Sequence, residues 1–89
     1  MNNDYQIGDF VTFINSNYPS IIISIDNNNN NYLITIHEYN GDYKFARNNE
    51  INKINLSIYE KLSVLANYGN WFYECHKNLY QELIIESLI

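Results

Sequence analysis

Up to residue 54 the chain alternates short runs of Ile, Val, Phe and Tyr with clusters of Asn, Asp, Ser, Gly and Pro. Beyond it, apolar residues recur at helical spacing. The first pattern predicts short strands separated by turns. Phe10-Val11-Thr12-Phe13 anchors a strand over residues 9–14, and Gly8 supplies the turn conformation before it. Residues 15–20 read as a loop in which Pro19 blocks an earlier strand start. A second strand over 21–25 places Ile21, Ile23 and Ile25 on one face. Asp26 and the Asn run 27–31 read as a polar connection, followed by a third strand from 32 to about 39.

Asn40-Gly41 is a strong hairpin signal, because a two-residue Asn-Gly loop favours a type I′ turn. That turn predicts the pairs Tyr39 with Asp42, Glu38 with Tyr43, His37 with Lys44, and Ile36 with Phe45. Ile34, Ile36, Tyr43 and Phe45 would then face the core, and Thr35, His37, Tyr39, Asp42 and Lys44 would face water. Asn48-Asn49-Glu50 reads as a tight turn before a short last strand over 51–54.

The remainder predicts two helices. Ser57-Ile58-Tyr59-Glu60 fits a capping box, with Ile58, Leu62 and Leu65 on one stripe behind it. Asn67-Tyr68-Gly69 reads as a stop with Gly69 in the left-handed position. Asn70 caps a second helix over 71–87, with Phe72, Cys75, Leu79 and Leu83 on one face. Cys75 reads as a small core residue and His76 as a surface one. The expected fold class is α+β: a small antiparallel curled sheet or barrel of four or five strands, then two helices packed on it.

At 89 residues this is one domain with one modest core. The net charge is −5, with only five Lys and Arg against ten Asp and Glu. A domain that grips phosphates carries a basic stripe, so direct nucleic-acid binding is disfavoured and a basic protein partner favoured. The single cysteine, Cys75, allows no intrachain disulfide. The start of the chain lacks the basic and apolar regions of a secretory signal, and no apolar run reaches membrane-spanning length. The expected location is the cytoplasm. The sequon Asn55-Leu56-Ser57 reads as chance without a secretory context. Heavy use of Asn, Ile and Tyr, all with AT-rich codons, suits an AT-rich bacterium, its phages or its mobile elements.

Catalytic and metal chemistry find little support. His37, His76 and Cys75 have no ligand spacing, and adjacent Cys75 and His76 point about 100° apart on a helix. Nothing around Cys75 activates a nucleophile. The carboxylates Asp4, Asp9, Asp26, Glu38, Asp42 and Glu50 fall at turns or strand ends, where they stay solvated. Gly8, Gly41 and Gly69 lie too far apart for a phosphate loop. No enzyme activity, cofactor or metal is expected.

The tyrosines are the more informative group. Tyr5, Tyr18, Tyr32, Tyr39 and Tyr43 fall at strand ends and loops, where they either half-cover a small core or gather at one mouth as a binding surface. The segment from Leu83 to Ile89, with Trp71 and Phe72 upstream, is apolar almost all round. It either packs on the sheet or associates with another chain, including a second copy in a homodimer.

Ile7-Gly8-Asp9-Phe10-Val11-Thr12-Phe13, a second strand ending in Asp26 and a short strand after a tight turn together resemble the SH3-like small barrels of the Tudor and chromo type. The resemblance covers residues 7–54 and leaves the helical tail without a counterpart. It implies a partner-binding barrel mouth, with Tyr18, Tyr32 and Tyr39 as the candidates for an aromatic cage at strand ends.

Two functional expectations follow. In the first, the chain is a non-enzymatic protein-binding module. It would be a small acidic phage or mobile-element inhibitor of the anti-CRISPR kind, blocking a host nucleic-acid-processing or defence protein. Glu38, Asp42 and Glu50 would form an acidic face, flanked by Tyr18, Tyr32, Tyr39 and Trp71. In the second, it is an SH3-like adaptor in a nucleic-acid-processing assembly, binding through an aromatic mouth with Lys44 and Arg47 beside Tyr39.

Overall fold

The computed structural model describes residues 5–28, 31–38 and 40–89, with Asn27, Asn28, Asn31 and Tyr32 described by backbone alone. Among the described residues the chain forms five strands and three α-helices. The strands are β1 (Phe10–Phe13), β2 (Ser20–Asn28), β3 (Asn31–His37), β4 (Tyr43–Ala46) and β5 (Ile51–Lys53), with a single 3-10 turn, Asn48–Glu50, before β5. The helices are α1 (Ile58–Asn67), α2 (Asn70–Cys75) and α3 (Lys77–Ser87). The chain divides into two compact units, Met1–Ile54 and Asn55–Ile89.

The first unit is one antiparallel sheet in the order β4-β3-β2-β1-β5. Its core is a cluster of Val11, Ile22, Ile34, Ile36, Ala46 and Ile51, against which Tyr5, Phe13 and Ile25 pack. Ala46 and Ile51 belong to the two edge strands yet share this cluster, so the sheet is strongly curled. Among the described residues β4 and β5 do not pair, so the curl stops short of a closed barrel. Tyr5 is tied down inside this unit. Its hydroxyl donates to the Ile51 carbonyl at 3.0 Å and its ring packs on the core.

Three features of the sheet depart from the pattern read in the sequence. The first is the β2–β3 hairpin. Asn27 pairs with Tyr32 and Asn28 with Asn31, so the Asn run continues both strands as a ladder and is not a loop. Only residues 29 and 30 connect them, and these lie outside the described residues. The second is a bulge between Ile22 and Ser24. It admits one extra residue, Ile23, and reverses the alternation. Ile22 therefore joins Ile25 on the core face, in place of Ile21 and Ile23 of the expected set Ile21, Ile23 and Ile25.

The third is the β3–β4 register. Tyr43 pairs with His37, Lys44 with Ile36, Phe45 with Thr35 and Ala46 with Ile34, one residue away from the expected pairs. The Glu38 N–H donates to the Asp42 carbonyl at 2.9 Å, and the Gly41 N–H returns to the Glu38 carbonyl at 2.9 Å. Three residues, 39–41, thus connect the strands. Gly41 has φ 91°, the left-handed conformation that a three-residue hairpin loop places on glycine. A shift of one residue inverts a strand's faces. Ala46 is buried in the core, while Tyr43 and Phe45 are 52% and 67% exposed. His37, expected in water, is fully buried.

In the second unit, α1 packs against α2 and α3. The capping box is present. The Glu60 N–H donates to Ser57 Oγ at 3.2 Å, and the Ser57 N–H to Glu60 Oε1 at 2.9 Å. Gly69 (φ 112°) ends the first helical stretch as expected, and it also takes the N-cap position foreseen for Asn70. The second helix is broken at His76, whose φ of −118° and ψ of 26° leave the helical region. The expected pair of helices is therefore three. The break also reverses two assignments: Cys75 is exposed and His76 is buried, its ring 4.7 Å from that of Phe72. Leu65, Phe72 and Leu83 are buried, while Ile85, Leu88 and Ile89 are exposed. Among the described residues no helix is long and apolar enough to cross a membrane.

Candidate functional site

One end of the sheet gathers most of the residues singled out by sequence. β1 ends at Phe13, and the chain turns there with the Ser16 N–H donating to the Phe13 carbonyl at 3.0 Å. The Tyr18 N–H then donates to Ser16 Oγ at 3.1 Å, and this sets the β1–β2 loop. The β3–β4 hairpin bends toward the same end. Its turn is held by Asn40, whose side chain accepts from the Asp42 N–H and donates to the Asp42 carboxylate, both at 3.0 Å.

Between loop and hairpin lies an open cleft of about 490 Å³. Phe13, Asn15, Ser16 and Tyr18 line it from the loop side. Glu38, Asn40 and Lys44 line it from the hairpin side. Lys44 projects from the core face of β4 because Ile36, its cross-strand partner, does so. The curl of the sheet then carries its ammonium over the Phe13 ring, 5.9 Å from the centroid. The same ammonium lies 3.5 Å from Glu38 Oε1. The Glu38 side chain is 13% exposed and that of Lys44 57%. A smaller hollow of about 240 Å³ adjoins, lined by Phe13, Ile14, Asn15 and Glu50.

Of the residues expected at a partner surface, Tyr18 and Glu38 therefore meet at one cleft. Asp42 joins them through Asn40, and Glu50 lies at the neighbouring hollow through Phe13 and Asn15. Each carboxylate also has a local duty. Glu38 faces Lys44, Asp42 holds the turn, and Glu50 Oε1 accepts from the Arg47 N–H at 2.8 Å. Trp71 belongs to the second unit, on α2, where it is 67% exposed. Tyr39 and the side chain of Tyr32 lie outside the described residues. Phe13, Asn15 and Ser16 were not foreseen, since nothing local marks a strand-ending Phe as half core and half cleft wall.

The opposite face of the sheet carries a second group. Phe10, Ile21, His37 and Tyr43 form one cross-strand row. Its first three members are buried, and it ends in exposed Tyr43, which stacks on His37 with centroids 4.8 Å apart. Phe45 stands beside it on the same strand and the same face. β4 is an edge strand of the sheet among the described residues, so these two aromatics stand at its border.

The titration of His37 is displaced. Burial, which penalises the charged ring, lowers its pKa from the usual 6.5, opposed by a hydrogen bond with the Gly41 backbone. Above pH 6.5 the ring is neutral folded or unfolded, and its stabilising contribution is complete. As the pH falls through 6.5 the unfolded chain takes up the proton first, so stability drops until the lower folded-state pKa is passed. Chemical denaturation at pH 7.5 and pH 5.5 is expected to give a smaller loss for His37→Gln than for the parent. Equal losses would show that His37 does not set this slope.

Among the described residues no group of His, Cys, Asp and Glu is placed to hold a metal ion. Comparison of the chain with protein-family models, with curated proteins and with solved structures returned no match.

Proposed function

We propose that the chain is a non-enzymatic protein-binding module, an inhibitor that occupies a basic nucleic-acid-processing or defence protein through direct contact. The observation that carries this reading is the outward placement of Tyr43 and Phe45 on the edge strand β4. Large aromatics at an exposed edge anchor protein interfaces, and an open edge adds main-chain hydrogen bonds. The net charge of −5 selects the sign of the partner and raises the rate of encounter with it.

Immobilised chain is expected to retain a basic nucleic-acid-binding protein from host lysate at about 0.1 M salt and to release it at about 1 M, where screening is strong. Phe45→Ser is expected to weaken that retention by about tenfold or more, the effect of removing an interface anchor. Undiminished retention by Phe45→Ser would overturn the reading. Retention that persists unchanged at high salt would replace the electrostatic inhibitor by an adaptor held through apolar contact.

A further inference from the structure

We infer that the cleft between the β1–β2 loop and the β3–β4 hairpin receives an arginine side chain from a basic segment of a partner protein, with Lys44 as its built-in competitor. This rests on the protein-binding reading and assigns a second, separate point of contact.

The chemistry of the cleft is that of a cation site. Glu38 presents a carboxylate that is largely withdrawn from water, and Phe13 presents an aromatic face. The two already share a cation, the Lys44 ammonium, at 3.5 Å from one and 5.9 Å from the other. That ammonium is loosely held. The second distance is near the limit of about 6 Å for a cation over a ring. The Lys44 side chain keeps 57% of its surface in water, where an ion pair contributes little.

A guanidinium suits these groups better than an ammonium does. Its planar fork donates two N–H groups to one carboxylate while its face lies on an aromatic ring. The remaining N–H groups find side-chain acceptors on Asn15, Ser16 and Asn40 around the cleft. Tyr18, 56% exposed at the rim, adds a second wall. The cleft's 490 Å³ lies within the range of about 300–1,000 Å³ that specific sites occupy. A side chain within a protein segment suits the cleft better than free arginine does, since the free amino acid also has an α-ammonium and an α-carboxylate to desolvate there.

The test is a nuclear magnetic resonance titration of isotope-labelled chain with an end-blocked Gly-Arg-Gly peptide. The lysine and citrulline counterparts and free arginine serve as comparison ligands. Amide shifts are expected at Phe13, Tyr18 and Glu38, weaker with the lysine peptide and absent with citrulline. Glu38→Gln is expected to lower affinity about tenfold, the effect of losing a charge-assisted pair. Asp26→Asn, the same change of charge on an exposed residue near the tip of the β2–β3 hairpin, is expected to lower it less. Lys44→Gln vacates the cleft and is expected to raise affinity several-fold. Arg47→Gln, which removes the same charge elsewhere, is expected to raise it less. Equal effects within each pair would mean a diffuse acidic field and would overturn the assignment. So would binding of the citrulline peptide, or free arginine binding as well as the blocked peptide. No partner is needed for this titration. A negative result beside Phe45-dependent capture removes the arginine site and leaves the protein-binding reading, and the reverse pattern does the opposite.

Discussion

Ala46→Asp is expected to unfold the sheet at room temperature, whereas Phe45→Asp leaves it folded with stability changed by only about 0.5 kcal/mol. Adjacent residues on one short strand differ this much because of the β3–β4 register. Ala46 is 2% exposed and shares the core cluster with Val11, Ile22, Ile34, Ile36 and Ile51. The cation on that face, the Lys44 ammonium, lies over Phe13 and beside Glu38 at the cleft and not within this cluster, so an aspartate there stays unpaired. Burying an unpaired carboxylate costs several kcal/mol, comparable with the roughly 5–15 kcal/mol that holds a small domain together. Phe45 is 67% exposed and its replacement stays in water. Far-ultraviolet circular dichroism with thermal melting separates the two variants. The reverse order, with Phe45→Asp the disruptive change, would mean that the hairpin closes through two residues and Phe45 lies inside.

Ile36→Ala is expected to cost about 2–5 kcal/mol, and Ile36→Val about 0.5–1.5 kcal/mol. Ile36 is fully buried in β3, paired with Ile22 on one side and Lys44 on the other. Truncation removes apolar atoms from a cluster fed by all five strands, and the curl leaves little freedom to collapse around the gap. Leu33→Ala, on the same strand but 38% exposed, is expected to cost under about 1 kcal/mol. Urea denaturation measures all three as a shift in midpoint at constant slope. A near-neutral Ile36→Ala would mean that the core lies on the other face of β3.

Where structure is decided by near neighbours, it was legible in the chain. Ser57 and Glu60 form the cap their spacing predicts, and Gly69 stops α1 where it should. The five apolar runs became strands, in an antiparallel curled sheet followed by helices. Where phase has to be set over a distance, it was not. Asn40-Gly41 suits a two-residue turn and equally a three-residue turn with Gly41 in the left-handed position. The choice falls to packing, because the converging edges of a curled sheet accommodate Ala46 better than Phe45. Ile21-Ile22-Ile23 is apolar throughout, so alternation cannot show which residue the bulge absorbs. The Asn run lacks strand propensity yet continues the ladder, carried by the pairing of Ile25 with Ile34 beside it. No breaker marks His76, so the interruption that exposes Cys75 has no local signal.

The candidate site divides in the same way. Tyr18, Glu38 and Asp42 were found because turn residues at one end of a hairpin sheet converge. The meeting of Lys44 with Phe13 was not, since β1 and β4 are separated by two strands in the sheet and only its curvature brings them together.

The Asn ladder at the tip of the β2–β3 hairpin bears on where this chain tolerates changes of length. Here the tract lies past the last core pair, Ile25 with Ile34, with Asn28 and Asn31 still opposite each other. An added residue lengthens the connection and leaves the pairs beneath it in place, whereas removal of one opens the Asn28–Asn31 pair and leaves Ile25 opposite Ile34. Changes of length in the Asn run thus fall where they disturb the core least, and variants with an added Asn there are expected to fold alike.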